Sequence, residues 1–314
     1  MLAPICLFTY NRLNEAQQTL EALRKNFLAD ESDLWVFCDA AKNEQDKIKV
    51  ERVRQYLQSI KGFKSVEIRI SEEHRGLASS IISGVSMMLE KYEEIIVLED
   101  DLITSPNFLN FMNQALVFYK NDSKIQSING FSLPLKDKSF EVYFQTRTES
   151  WGWATWKDRW DPTVFNKNYL AGLITSDPTI LKKFNKKCGA DISQMLLDSI
   201  HNKNDSWYVR WVFDHFKNEH VGVYPVCSFI TNIGYNSDAT HCKGVNTYIS
   251  EPVNPLKTEF DFPAFQPTEC KIEKEFLSYF SIKHKIRIRI KLLKTSKGRR
   301  QFFKEFKMKI GLKY

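Results

Sequence analysis

Three carboxylates stand in a row at Glu99-Asp100-Asp101, directly after the apolar run Ile95-Ile96-Val97-Leu98. Adjacent carboxylates repel one another, so folding them together calls for a cation close by. Hard divalent ions such as Mg2+ or Mn2+ take one or two carboxylates and complete their shell with phosphate oxygens and water. The other reading of the triplet is a turn whose acids cap the helix expected near residue 106. Arg12, His74 and Arg75 suit the neutralisation of a pyrophosphate, Arg through paired N–H donors, although each also fits a solvated surface. Asp39 could accept a hydrogen bond from a base or ribose, or cap residues 40–46. Four of the seven tryptophans, Trp151, Trp153, Trp156 and Trp160, fall within ten residues. Large aromatics fill cores, and their flat faces also stack on sugar rings. His241 ends a polar loop over 232–241 and could reach a metal, with a surface role as the alternative.

These side chains form a set only if the fold collects them. The runs 4–9, 34–38, 66–70 and 95–98 read as strands, and 14–26, 43–60 and 76–92 carry helical spacing. Strand and helix alternating at this interval predict an α/β fold, a mostly parallel sheet flanked by helices. In open sheets of this kind ligands gather beyond the carboxyl ends of the strands. Those ends carry Asn11 and Arg12, then Asp39, then His74-Arg75-Gly76, then the acidic triplet. An anionic ligand with a bound metal fits such an edge. The absence of a G-x-G-x-x-G or Walker loop argues against a dinucleotide fold or a P-loop kinase. Further on, a helix is expected over 106–119 and strands over 125–128, 140–145 and 221–224. The stretch 177–218 reads as helical.

The order Thr9-Tyr10-Asn11-Arg12, Cys38-Asp39, His74-Arg75-Gly76-Leu77-Ala78, Glu99-Asp100-Asp101-Leu102, Ser150 through Trp156 and Asn232-Ile233-Gly234 resembles the GT-A glycosyltransferases. Within that fold it resembles bacterial sugar transferases related to family 2 and to N-acetylglucosaminyltransferase I. The resemblance implies a Rossmann-like catalytic domain over 1–250, with a nucleotide-binding half (1–102) and a sugar and acceptor half (103–250). It implies Thr9, Asn11, Arg12 and Asp39 at the nucleotide, and Arg75 and Gly76 near the ribose and phosphates. Asp101 would coordinate Mn2+ or Mg2+, His241 being a further candidate, and Asp100 would help hold the ribose or donor sugar. Ser150, Trp151, Gly152 and Trp153 would floor the sugar pocket. The implied reaction moves a sugar, with inversion, from a UDP-linked donor to a glycan or lipid-linked acceptor in bacterial surface polysaccharide synthesis. Inverting relatives place the general base at an Asp just before a Trp at a helix start. Asp205-Ser206-Trp207 is the nearest counterpart, offset by one residue, and Glu149 and Asp214 are the alternatives. Two rivals are a nucleotidyltransferase making nucleotide sugars and a non-catalytic carbohydrate-binding protein. The first normally has a Gly-rich, basic loop after its first strand, where Thr9-Tyr10-Asn11-Arg12 stands.

Net charge is +7, yet residues 276–314 alone hold 13 Lys or Arg against Glu305. The rest of the chain is mildly acidic, which sets aside a nucleic-acid partner. Ile282, Ile286, Ile290, Leu293, Phe302, Phe303 and Phe306 are interleaved with those cations, the pattern of a helix on an anionic membrane surface. Residues 286–290 also alternate with period two, which leaves strand open. Residues 251–275 are expected to be an extended linker to this basic tail. Apolar runs fall well short of the roughly 18 residues of a spanning helix. The stretch 2–8 is too short, and lacks the basic leader, for a secretory signal. The expectation is a cytoplasmic protein, peripheral on the inner face of the membrane. Six cysteines without C-x-x-C spacing suit a reduced compartment and no zinc ribbon.

Overall fold

The structure is a computed structural model that describes residues 1–234, 253–294 and 299. Short apolar runs bounded by turn residues form β1 (Ile5–Thr9), β2 (Asp33–Cys38), β3 (Ser65–Ile70) and β4 (Glu94–Glu99). Between them lie α1 (Leu13–Leu23), α2 (Glu44–Leu57) and α3 (Leu77–Lys91). Asn43 starts α2 by accepting from the Asp46 amide, as its side chain suits. β5 (Leu102–Thr104), α4 (Phe108–Tyr119), β6 (Ile125–Asn129), β7 (Val142–Gln145) and β8 (Trp153–Trp156) are the next elements. Four helices come after them: α5 (Lys167–Ser176), α6 (Ile180–Cys188), α7 (Ile192–Ile200) and α8 (Trp207–Lys217). The described chain ends with β9 (Val221–Pro225), β10 (Ile230–Asn232), α9 (Cys270–Ser278) and α10 (Ile282–Leu293).

Among the described residues eight strands make one sheet in the order β3-β2-β1-β4-β8-β6-β9-β7. β1 to β4 pair in parallel, β6 and β9 run the same way, and β7 and β8 run against them. The mostly parallel α/β architecture expected from the alternation is therefore present. Period-two alternation gives β1 and β4 two buried faces, while β3 at the edge of the sheet is largely exposed. Leu7 and Leu98 point into one core with Leu20, Val53 and Phe111, and Phe8 and Val97 into the other with Ile81, Trp153 and Trp211. At about 1.5–3 kcal/mol for each large side chain fully buried, these two layers dominate the stability of the sheet.

The stretch 177–218 is helical as expected, in three helices rather than one. It breaks at 189–191, where Gly189 holds φ +113°, and at the polar run 201–206, after which Ser206 caps α8 by accepting from the Val209 amide. One expectation needs correction: the described part of 251–275, residues 253–275, is not a free linker to a tail beginning at 276. It is extended over 253–269, but Phe260, Phe262 and Phe265 pack on Phe111, Tyr119 and Phe144. Its backbone carbonyls are held by Asn107, Gln114 and Tyr119. Phe276 and Phe280 of the expected tail are buried in the main core. These five Phe side chains are too apolar to leave in water, so the segment belongs to the body up to residue 281.

Candidate active site

The carboxyl ends of β1, β2, β3 and β4 bring the predicted residues together. Asp39 follows β2 and binds the loop that leaves β3. Its Oδ1 accepts from the amides of Ala40 and Arg75, and its Oδ2 from the Gly76 amide, each at 2.9 Å. His74 Nδ1 stands 2.9 Å from Oδ2 and is hydrogen-bonded to the Ala40 carbonyl (3.0 Å). A carboxylate has about four acceptor positions, and backbone amides take three of them. Asp39, expected at the nucleotide, thus fixes the loop 74–76. Beside this loop lies an open groove of about 370 Å3, lined by Phe37, Asp39, Arg69, Arg75, Gly84 and Met87 among others. Thr9 is buried, its hydroxyl on the Phe37 carbonyl (3.3 Å). Asn11 donates to Asp46 Oδ1 (2.9 Å) and Tyr10 to Asp46 Oδ2 (3.1 Å), so the turn after β1 is tied to the start of α2.

Arg12 is the cation that the triplet calls for. It pairs with Asp100 Oδ1 through Nη2 and with Asp101 Oδ2 through Nη1 at 2.8 Å. Burial pushes the Glu99 and Asp100 carboxyls upward, and Arg12 opposes this, most directly at Asp100. Asp101 leaves β4 into β5, which pairs antiparallel with β10 so that Leu102 faces Asn232. The Ile233 amide donates to the Asp101 carbonyl (2.9 Å), and Gly234 lies directly on its carboxylate. A Cβ at Gly234 would stand 2.1 Å from Asp101 Oδ2, so any larger residue there would push that carboxylate aside.

The second half extends the same edge. β8 runs against β4 with Trp153 opposite Val97, so residues 149–152 pass beyond the point where Asp100 and Asp101 emerge. Gly152 holds φ +67°, and a Cβ there would meet Ile230 Cδ1 at 2.8 Å. Asn129, at the end of β6, accepts from the Thr148 hydroxyl and the Glu149 amide at 2.9 Å each. Glu149 lies 3.9 Å from Arg147, which also binds Asp191 (2.8 Å), the Cys188 carbonyl (3.0 Å) and the Tyr208 hydroxyl (3.1 Å). Burial lifts the Glu149 carboxyl from its ordinary 4.5 to about 7, Arg147 pulling it down and Asp191 pushing it up.

The candidates for a base thus separate. Asp205 is exposed and paired with Lys167 (3.8 Å) and Arg210 (3.4 Å). Asp214 is buried within α8, with Oδ2 on Gln126 and Oδ1 on Asn218, and both oxygens are committed. Trp153 does not floor an open pocket. It is sealed in the core between Trp160, Trp207 and Trp211 because β8 points it away from the face of Ala154. Ser150 and Trp151 remain half-buried at the edge, Trp151 edge-on to Phe131 at 4.5 Å. His241 lies outside the described residues.

Arg147, Asp191 and Tyr208 were not among the predicted residues. A charge inside the polar run 145–149 at a strand end was the available hint, but it named no partner.

No protein-family model and no curated protein matches the chain. Among solved structures it is similar to mannosyltransferase PcManGT from Pyrobaculum calidifontis in complex with GDP-Man and Mn2+, at 11% identity and TM-score 0.35 over 50% of this chain and 46% of that one. It is also similar to S. aureus TarS, at 14% identity and TM-score 0.34 over 50% of this chain and 28% of that one. A third is UDP-glucose pyrophosphorylase complexed with UDP-glucose, at 8% identity and TM-score 0.35 over 71% and 90%. The chain spans less than half the length of the first two. Likeness this slight carries no activity across, so function has to be argued from the residues at the edge.

A divalent ion can be tested against those residues directly. Among the described residues no three His, Cys, Asp or Glu side chains converge into a cage. Asp101 nevertheless offers a hard oxygen donor: Oδ2 is on Arg12, and among the described residues Oδ1 has no hydrogen-bond partner. One carboxylate shared with substrate phosphates and water is an ordinary Mg2+ arrangement, so the donor set fits in that form.

Proposed function

We propose that the protein is a glycosyltransferase that takes a sugar from a nucleoside diphosphate donor, UDP-linked by the resemblance, to a hydroxyl of a glycan or lipid-linked acceptor. One observation carries the reading. A single sheet edge joins a groove walled by Asp39 and the 74–76 loop, an arginine-bridged carboxylate pair at Arg12, Asp100 and Asp101, and a half-buried carboxyl, Glu149, raised to about 7.

The nucleoside lies in the groove and its diphosphate points toward Asp101. As the sugar leaves, negative charge grows on the diphosphate, and preorganised cations stabilise it without a proton transfer. Arg75 is exposed beside the groove for that task, while Arg12 offsets the repulsion between Asp100 and Asp101 and aligns them. Asp101 would hold Mn2+ or Mg2+, which when bound supplies neutralising charge to the phosphates. Glu149 accepts the proton of the attacking hydroxyl, and a carboxyl titrating near 7 is well matched to that work at neutral pH. The Tyr10 amide donates to Asp100 Oδ2 (3.3 Å) and the turn has no glycine, which favours sugar transfer over a nucleotidyltransferase's phosphate-cradling loop.

A thermal-shift screen of nucleotide sugars with and without Mn2+ tests this, because a ligand that binds the native state raises Tm. At least one donor should raise Tm in the wild type and less in Asp101→Asn. A complete panel without a shift would refute the reading.

A further inference from the structure

Helix α10, the last element among the described residues, presents an apolar stripe to the outside. Ile282, Ile286 and Ile290 are 68%, 50% and 53% exposed, and Leu293 is exposed on the same side. At 100° per residue these four fall within one narrow sector, while Ile288 and His284 lie on the opposite side and are half-buried. Lys283, Arg287 and Lys294 follow one border of the stripe and Arg289 the other, and 282–294 contains no acidic residue.

A soluble protein exposes isoleucines singly, and a row of them flanked by cations calls for a partner. The helix does not hang from a loose tether. It follows α9 and Phe280, and Arg147 lies over the Phe280 ring at 3.5 Å. The Tyr279 hydroxyl donates to the Pro134 carbonyl (2.7 Å), and the Tyr279 ring meets His284 at 4.9 Å. The body therefore holds the stripe outward. Among the described residues no helix is long and apolar enough to cross a membrane.

We infer that α10 is an interfacial helix that seats the protein on an anionic lipid bilayer. The isoleucine row enters the headgroup–acyl boundary and the bordering Lys and Arg meet lipid phosphates. Charge selects this occupant over a second copy, because two such helices face to face would juxtapose like charges along both borders. The inference does not depend on the catalytic reading, since it concerns another surface and needs no donor.

The test is co-sedimentation of the full chain with phosphatidylcholine vesicles, with or without roughly one quarter phosphatidylglycerol. Wild type should bind the anionic vesicles and leave the neutral ones largely alone. The double substitution Ile286→Glu, Ile290→Glu should lower binding about tenfold or more, while Ile286→Leu, Ile290→Leu keeps it. Circular dichroism and Tm of both variants should match wild type, because the positions are exposed. Equal binding of the Glu variant, or no binding by wild type, would overturn the inference. So would a wild-type dimer in light scattering that the Glu variant dissolves, which would give the stripe to a second copy.

Discussion

Two arginines organise the two ends of the strand-end edge, and they do so differently. Arg12 neutralises Asp100 and Asp101, which adjoin a strand end in the sequence, and its side chain remains 20% exposed. Arg147 is 4% exposed and gathers Glu149, Cys188, Asp191, Tyr208 and Phe280 from separate stretches of chain. The difference lies in the cations and not in their carboxylates: Asp100 and Asp101 are 4% and 12% exposed, Glu149 and Asp191 16% and 20%. The Arg12 guanidinium keeps a face open to water, whereas the enclosed Arg147 opposes the burial that raises Glu149 and ties residues 147–149 to Phe280.

Substitutions can break this contrast, beginning with the largest effect. Arg147→Met removes a guanidinium that is 4% exposed and bonded to Asp191, the Cys188 carbonyl and Tyr208, and should destabilise by about 3–5 kcal/mol in chemical denaturation, with Arg12→Met costing less because the Arg12 side chain is 20% exposed. An equal loss at both positions would erase the distinction. Glu149→Gln should lower kcat about a hundredfold, or about 2.7 kcal/mol of barrier, with donor affinity unchanged.

The pH dependence of that variant sharpens the point. In wild type kcat/KM should rise through about pH 7 as Glu149 ionises, and Glu149→Gln should flatten that limb. The native state holds this proton more tightly than the unfolded chain, so the contribution of Glu149 to stability falls as pH rises from 4.5 to about 7. Glu149→Gln should therefore raise Tm relative to wild type at pH 8 and much less at pH 4.

Gly234→Ala pushes on Asp101 without changing any charge. It should cut turnover about tenfold, near 1.4 kcal/mol, with little loss of Tm. The smallest effect belongs to Asp205→Asn, which breaks an exposed ion pair and should leave kcat within about twofold and stability within about 0.5 kcal/mol. A hundredfold loss there would return the role of base to Asp205.

The first half was legible because its information is local. Apolar runs at βα spacing fix β1 to β4, and residues next to a strand end in the chain stay next to it in space, which collects Arg12, Asp39, Arg75 and Asp101. Even there the sequence did not tell that Asp39 would spend both oxygens on the 74–76 loop, since hydrogen bonds to backbone amides leave no pattern in side-chain types. The second half was less legible because its contacts are long-range. Trp153 reads equally as a core residue or a sugar platform until the pairing of β8 with β4 decides its face. Arg147 meets Phe280 across more than a hundred residues, and no period connects them. The extended stretch over 253–269 misled for the same reason: its prolines mark it as irregular, and its phenylalanines, which decide where it lies, answer to α4 and β7.

The central claim is that an activated sugar nucleotide lies along the carboxyl edge between Asp39 and Asp101. Hydrogen–deuterium exchange with and without a saturating nucleotide sugar and Mn2+ tests it most directly. The account predicts new protection at residues 39–40, 74–76, 100–102 and 232–234, with α10 unchanged. Protection confined to the tryptophan core or to α10, with those four stretches unmoved, would contradict it.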